Sequence, residues 1–328
     1  MISPHDDHSV PFPRLSRTRR SGVAAALIIG VLMCGIAVFA QPPPEHTTPA
    51  DAAAISEPSE SPASESALER RREEEWCVEQ SRFGITTYKP NYVLPLTYNT
   101  RANKRFEELT SYEIKFQISL RIALARDFLN SGGDLAFGYT QLSFWQAFNK
   151  RLSSPFRETN YEPELMWGFW LPKGDEGISN QWFILGFVHQ SNGHSLPLSR
   201  SWNRLYMNII FDYGDFYFSL KPWYRIPERS KNSPTDPGGD DNPDIEDYLG
   251  YGEITALWVF GTSRVGLMLR NNLDWDKNRG AVQIDWSFPI KNKLQGYVQY
   301  FNGYGETLID YNHSVSRLGV GLMLNNWL

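Results

Sequence analysis

The chain is poor in the residues that would place it in several common classes. Only two cysteines occur in 328 residues. Cys34 and Cys77 supply no disulfide framework, and Cys34 lies in a segment expected to be removed. Positive charge is not in excess. The formal net charge is −5, without the basic surface that nucleic-acid binding needs, so no nucleic-acid partner is expected. The histidines are few and scattered: His5, His8 and His46 precede the folded part, and His313 sits near a turn without companion ligands. No His/Cys spacing suits a transition-metal cage, and no glycine-rich phosphate loop occurs. Beyond residue 40 no apolar run reaches the ~20 residues of a membrane helix. The mean hydropathy of −0.42 suggests a soluble chain, but that average misleads for transmembrane β-barrels, whose strands alternate apolar and polar residues.

What is present begins with a targeting pattern. Arg14, Arg17, Arg19 and Arg20 form a basic region, followed by an apolar stretch from Val23 to Ala40. Val38 and Ala40 stand where small residues precede a signal cleavage site. The apolar stretch is long for a signal, so a permanent anchor is the competing reading. Nothing that follows resembles an anchored soluble domain, and residues 1–40 are read as a cleaved signal. Residues 41–84 are read as a flexible segment, rich in Pro, Ala, Ser and Glu and carrying the charge run Glu69-Arg70-Arg71-Arg72-Glu73-Glu74-Glu75. Such a composition buries too little apolar area to offset its ordering entropy.

From residue 85 to 328 the chain alternates in period two. Ile114, Phe116, Ile118, Leu120 and Ile122 are interleaved with Lys115, Gln117, Ser119 and Arg121. Val282, Ile284, Trp286 and Phe288 alternate with Gln283, Asp285 and Ser287, and Leu318, Val320, Leu322 and Leu324 mark the last run. Similar runs fall near 134–148, 161–172, 180–191, 202–212, 215–226, 248–260, 263–272 and 292–302. A soluble sandwich also alternates. Segment lengths near 10 residues, aromatics crowding the segment ends and polar opposite faces favour a membrane-spanning barrel.

On such strands the chemistry gathers in one place. His189 and Ser191 end the row Phe183, Leu185, Phe187, and residues i and i+2 share a face. Asn203 heads the next strand's apolar row, with Leu205, Met207, Ile209 and Phe211. In a membrane barrel both rows face lipid, so all three polar residues would point outward near one interface. Serine becomes a nucleophile when an imidazole takes its proton, and the imidazole needs a third group to fix its tautomer. The carbonyl of Asn203 suits that part, since a bare carboxylate facing lipid is costly. Backbone N–H groups near Asn192 and Gly193 are candidates for the oxyanion. Gln141 lies on the row of Leu135, Phe137 and Tyr139, where a lipid-facing amide needs a partner, and a dimer interface would supply one.

At these residues the chain resembles the outer-membrane phospholipase A family. The resemblance is carried by His189-Gln190-Ser191-Asn192-Gly193 with Ser199-Arg200-Ser201-Trp202-Asn203-Arg204. It is also carried by Tyr139-Thr140-Gln141 with Trp145-Gln146, by the stretch from Ser153 to Pro163, by Asp240-Asp241-Asn242-Pro243-Asp244-Ile245, and by Tyr304-Gly305-Glu306 with Leu308 to Asn312. It implies a 12-stranded antiparallel transmembrane β-barrel in the bacterial outer membrane that hydrolyses acyl esters of membrane phospholipids. It also implies a silent monomer and an active, calcium-dependent homodimer. Carried over by motif, Ser191 is the nucleophile, His189 the base, Asn203 the residue orienting it and Gly193 an oxyanion donor. The Ca2+ ligands would be the carbonyls of Ser153 and His194 and the hydroxyl of Ser199, drawn from both protomers, with Asp241 at a second site associated with the monomer. His194 stands where the family often has Arg, and Leu196 replaces a residue that can be acidic. The 227–239 segment reads as an insertion. The rival readings are a non-catalytic pore or structural barrel with a degenerate site, and a soluble secreted lipase.

Overall fold

The computed structural model describes residues 84–325, apart from 103–107, 172–177, 234–235 and 292–293. The expected signal, the 41–84 segment up to residue 83 and the last three residues lie outside the described residues. The strands are β1 (Ile85–Thr87), β2 (Asn91–Asn99), β3 (Tyr112–Ala125), β4 (Asp134–Trp145), β5 (Phe156–Leu171), β6 (Ile178–Ser191) and β7 (Ser201–Tyr213). They continue as β8 (Phe216–Ile226), β9 (Gly252–Phe260), β10 (Ser263–Asn271), β11 (Gly280–Lys291), β12 (Leu294–Gly303) and β13 (Val315–Asn325).

From β2 onward each strand pairs with its successor, and β13 pairs with β2, which closes an antiparallel ring of twelve. The short β1 lies along the same edge of β3 as β2: Ile85 is opposite Ile122, and Tyr92 is opposite Gln117. All eleven runs identified by alternation are strands of this ring. Strand β2 was not among them. Pro95 interrupts its alternation, and the register shifts there against both neighbours, between its own Leu94 and Thr97 in the pairing with β3 and between Val320 and Leu322 of β13. Tyr248, placed in a strand by the pattern, instead belongs to a helical turn at Glu246–Leu249.

The ring has the polarity that lipid imposes. Ile118, Leu205, Ile254 and Leu318 are each about half exposed on its outside. Lys115, Arg121, Glu164, Arg204, Lys221 and Arg317 are buried within it. One end has two-residue turns at Gly214-Asp215 and Gly261-Thr262. Their glycines take φ +58° and +57°, as tight hairpins of right-handed twist require. The other end carries the long loops 192–200, 227–251, 272–279 and 304–314. Aromatic pairs ring both ends, with Phe216 stacked on Trp258 near the tight turns and Trp145 stacked on Phe156 near the loops.

The interior has two regions. Against β3, β5 and β13 a charged network closes on itself. Glu113 accepts from Arg157 Nε at 2.6 Å and pairs with Arg317 Nη2 at 2.7 Å, and Arg157 Nη1 reaches Asp310 at 2.7 Å. Glu306 bridges Arg317 (2.9 Å) and Lys115 (3.0 Å). Burial pushes the Glu306 carboxyl up, but Arg317 and Lys115 outweigh it and hold the group below its ordinary value. Behind β6 and β7 an apolar cluster packs beside a second set of charges, Arg204 with Glu162 and Lys221 with Glu164. Ile184, Val188, Trp202, Tyr206 and Trp223 pack together, and Ile245, Leu249, Leu308 and Tyr311 from the loops cover them.

Removing one partner of a buried ion network leaves the others uncompensated. Replacing Glu113 by Ala leaves Arg157 with Asp310 alone, and Arg317 with Glu306 alone, as its carboxylate partner in this network. The unfolding free energy in detergent, read from urea titration, is expected to fall by about 3–5 kcal/mol.

Candidate active site

Strands β6 and β7 form a hairpin whose register sets His189 directly opposite Asn203 and Ser191 opposite Ser201. In an antiparallel pair, residues directly opposite project to the same face. His189 and Asn203 share the outer face with Phe187 and Leu205, both substantially exposed. The imidazole Nδ1 lies 2.8 Å from Asn203 Oδ1. An amide oxygen only accepts, so with Oδ1 toward the ring the proton belongs on Nδ1. Nε2 is then free to accept one. Ser191, two residues along the same strand, is on that same face. The Asn203 amide also donates through Nδ2 to Glu228 Oε1 at 3.3 Å, just beyond β8.

The side chain of Asn192 staples the loop after Ser191. Asn192 is buried, and its Oδ1 accepts from the N–H groups of His194 (3.3 Å) and Arg200 (2.9 Å). Its Nδ2 donates to Leu198 O at 2.9 Å and to Glu158 Oε2 at 3.4 Å. Gly193 turns with φ +66°, and a Cβ there would meet the Tyr161 ring at 3.2 Å. A side chain is therefore both strained and crowded at that position. The exposed N–H of Gly193 has no protein partner among the described residues. Glu158, fully buried, accepts from Asn160 Nδ2 (2.6 Å) and Ile309 N (3.0 Å) and lies 3.3 Å from His194 Nε2. It ties the loop to the barrel interior.

The predicted calcium residues fall into separate groups. Ser199 Oγ donates to Asp241 Oδ2 at 2.6 Å, so these two sequence-predicted residues meet. Ser153 lies on the β4–β5 loop with φ +59°, its N–H on Lys150 O. None of its described contacts reaches Ser199 or Asp241. A set of hydroxyl, carbonyl and carboxylate oxygens suits calcium, which prefers hard oxygen donors. Ser199 and the His194 carbonyl, on one loop, fit such a set. Asp241 fits less freely, because Lys231 Nζ already lies 2.5 Å from its Oδ1.

Gln141 has partners on its own strand. Tyr139 Oη donates to its Oε1 at 3.2 Å, and its Nε2 donates to Ser143 Oγ at 3.2 Å, which meets Thr159 Oγ1 at 3.1 Å. The expected dimer contact is therefore not needed for every polar atom of this amide, though its second N–H has no partner in this ladder.

Sequence reasoning missed Glu158, Glu228 and Lys231 and the stapling part of Asn192. Glu158 and Asn192 lie in stretches already singled out, where residue type does not reveal which groups meet. Glu228 and Lys231 lie in the 227–239 segment, which has no periodicity from which to place them.

A family model described as phospholipase A1 matches residues 68–324. Phospholipase A1 of Klebsiella pneumoniae is 38% identical over 253 residues, covering 74% of this chain and 83% of the relative. Phospholipase A1 of Escherichia coli K12 is 37% identical over the same length, covering 74% and 82%. Among solved structures, the outer-membrane phospholipase dimer of Salmonella typhi with bound calcium is 36% identical, with a TM-score of 0.69, covering 77% of this chain and 98% of that one. An active-site asparagine-to-alanine mutant of the E. coli enzyme, solved at pH 6.1, is 35% identical with a TM-score of 0.65, covering 76% and 95%. With that identity across a closed barrel of twelve strands, this chain belongs to the outer-membrane phospholipase A family.

Proposed function

We propose that the barrel hydrolyses sn-1 and sn-2 acyl esters of glycerophospholipids and lysophospholipids, with Ser191, His189 and Asn203 as its triad. The observation that carries this reading is the 2.8 Å contact between His189 Nδ1 and Asn203 Oδ1 on the lipid-facing side, two residues from Ser191. His189 Nε2 takes the hydroxyl proton as Ser191 Oγ attacks the ester carbonyl. The same imidazole then protonates the departing alkoxide, leaving an acyl-enzyme that water cleaves by the reverse proton path. Asn203 keeps the ring in the productive tautomer and faces the imidazolium with its carbonyl dipole. The Gly193 N–H, free and held by a stapled loop, donates to the oxyanion. That an asparagine belongs to the active site of the E. coli relative supports the part given to Asn203.

Calcium dependence and dimerisation belong to the same proposal, supported by the calcium-bound dimer of the S. typhi relative. Calcium, when bound, would place positive charge beside the developing oxyanion. The carbonyl of His194 and the hydroxyl of Ser199 would hold it together with the carbonyl of Ser153 across a dimer interface. At a second site, associated with the monomer, Asp241 would serve as a ligand only where calcium displaces the Lys231 ammonium. Gln141 is placed in the same interface, where its remaining N–H would find an acceptor. Export to the outer membrane accords with reading residues 1–40 as a cleaved signal and the residues that follow as a tether.

Fatty-acid release from mixed micelles in the presence of calcium tests the triad. Ser191→Ala is expected to abolish it, and unchanged release would remove Ser191 as nucleophile. Calcium-dependent crosslinking of the purified protein tests the interface. It should rise over the same titration as activity in the parent and fall severalfold in Gln141→Leu. Crosslinking that is indifferent to Gln141 would take this residue out of the dimer contact. Calorimetry of the monomer in detergent tests the lysine. Lys231→Met is expected to tighten calcium binding by about tenfold, and unchanged affinity would exclude Asp241 from the ligand set.

A further inference from the structure

The amide of Asn203 poses a problem that its contact with His189 does not solve. A carboxylate offers an acceptor whichever way it is turned, whereas an amide offers an oxygen on one side and an N–H2 group on the other. Turned by 180°, Asn203 would direct Nδ2 at His189 Nδ1. The ring would then have to accept there, and its proton would move to Nε2, where Ser191 needs an acceptor. Some other group must therefore select the orientation.

Glu228 is that group by position and chemistry. Its Oε1 receives Asn203 Nδ2 at 3.3 Å. An ionised carboxylate is acceptor-only, so it pairs with the N–H2 end of the amide and leaves Oδ1 for His189. Its negative charge also polarises the amide toward the imidazole, restoring at one remove the electrostatic support that an asparagine lacks.

Beyond Glu228 the described residues of the segment are tied together by their own hydrogen bonds. Two residues after the end of β8, Glu228 precedes Arg229, whose guanidinium grips Asp236 through both nitrogens at 2.9 and 3.2 Å. The backbone N–H groups of Asn232 (3.1 Å) and Gly238 (3.0 Å) donate to the same carboxylate. Asp240 N donates to Arg229 O at 2.9 Å, which closes the segment at its base. Hydrogen bonding by Arg229 and by those two amides holds the Asp236 carboxyl well below its ordinary value. The neighbouring cations are engaged elsewhere, Arg229 with Asp236 and Lys231 with Asp241. The Glu228 carboxylate is left to Asn203.

We infer that Glu228 is a positioning residue that extends the triad into a Ser191–His189–Asn203–Glu228 relay by locking the orientation of the Asn203 amide. The inference rests on the proposed triad, and the experiment separates the two. Initial rates on mixed micelles are measured for Glu228→Ala, Glu228→Gln and Glu228→Asp, alone and with Asn203→Ala, with Ser191→Ala as the control.

Glu228→Ala is expected to lower kcat by about tenfold with KM little changed, the loss of one hydrogen bond to a charged group at a partly exposed site. Glu228→Gln, which can present either end of its own amide, should fall between Ala and the parent, and Glu228→Asp should recover part of the loss. In the Asn203→Ala background the Glu228 changes should have no further effect on kcat, because the amide they orient is gone. Asn203→Asp supplies a second arm. It sets two carboxylates against each other, so Asn203→Asp with Glu228→Gln should be more active than Asn203→Asp alone.

An unchanged kcat in Glu228→Ala, an effect confined to KM, or the same loss with and without Asn203 would overturn the relay while Ser191→Ala still abolished activity. Activity surviving in Ser191→Ala would instead overturn the triad itself.

Discussion

A chain crossing hydrocarbon must pair every backbone N–H and carbonyl within itself, since no solvent offers a substitute. Closure of β13 onto β2 meets that demand, and the rest of the molecule follows from it. Once the ring is shut, each strand has a lipid side and an enclosed side, and period two allots every residue to one of them. Charges go inward, where Glu113, Arg157, Arg317 and Glu306 neutralise one another. Apolar side chains go outward, and a polar group on that outer row, such as His189 or Asn203, stands out against its neighbours.

That rule also explains what was legible beforehand. The faces of His189 and Asn203 were readable because each ends or begins a clean apolar row, and consecutive strands of a hairpin lie side by side. Their direct opposition, and hence the 2.8 Å contact, depended on register. The loop of nine residues between the strands does not reveal register by pattern alone. Strand β2 escaped notice because Pro95 forces a bulge that shifts its alternation. Glu158 and Asn192 stood in conspicuous stretches, yet their meeting is a fact of three dimensions, made when β5 comes beside β6. Glu228 and Lys231 lay in a segment without period, where only the folded course of the chain shows what each side chain reaches.

The two loops nearest the site differ in how they are ordered. The 192–200 loop is organised from within by Asn192, whose amide binds three backbone groups, and it is moored to the barrel through Glu158. The described residues of the 227–239 segment gather around Asp236, whose partners come from the segment itself. The first presents backbone groups, the Gly193 N–H and the His194 carbonyl, which must sit at fixed positions to be useful. The second presents side chains, Glu228 toward Asn203 of β7 and Lys231 toward Asp241, which Ser199 of the first loop also reaches. A change in the second loop can therefore alter the setting of the first without altering its fold.

The unbroken wall at β6 and β7 has a kinetic meaning. Trp202, Trp223, Ile184 and Val188 lie on its inner side, and the paired strands β5 to β8 separate that side from the outer face of the hairpin. Approach is sideways, from the leaflet. A protein fed in this way meets its lipids as a two-dimensional mixture. Its turnover should follow the mole fraction of cleavable lipid at the surface rather than the amount suspended in the bulk, and inert detergent or sterol should slow it by dilution within the plane.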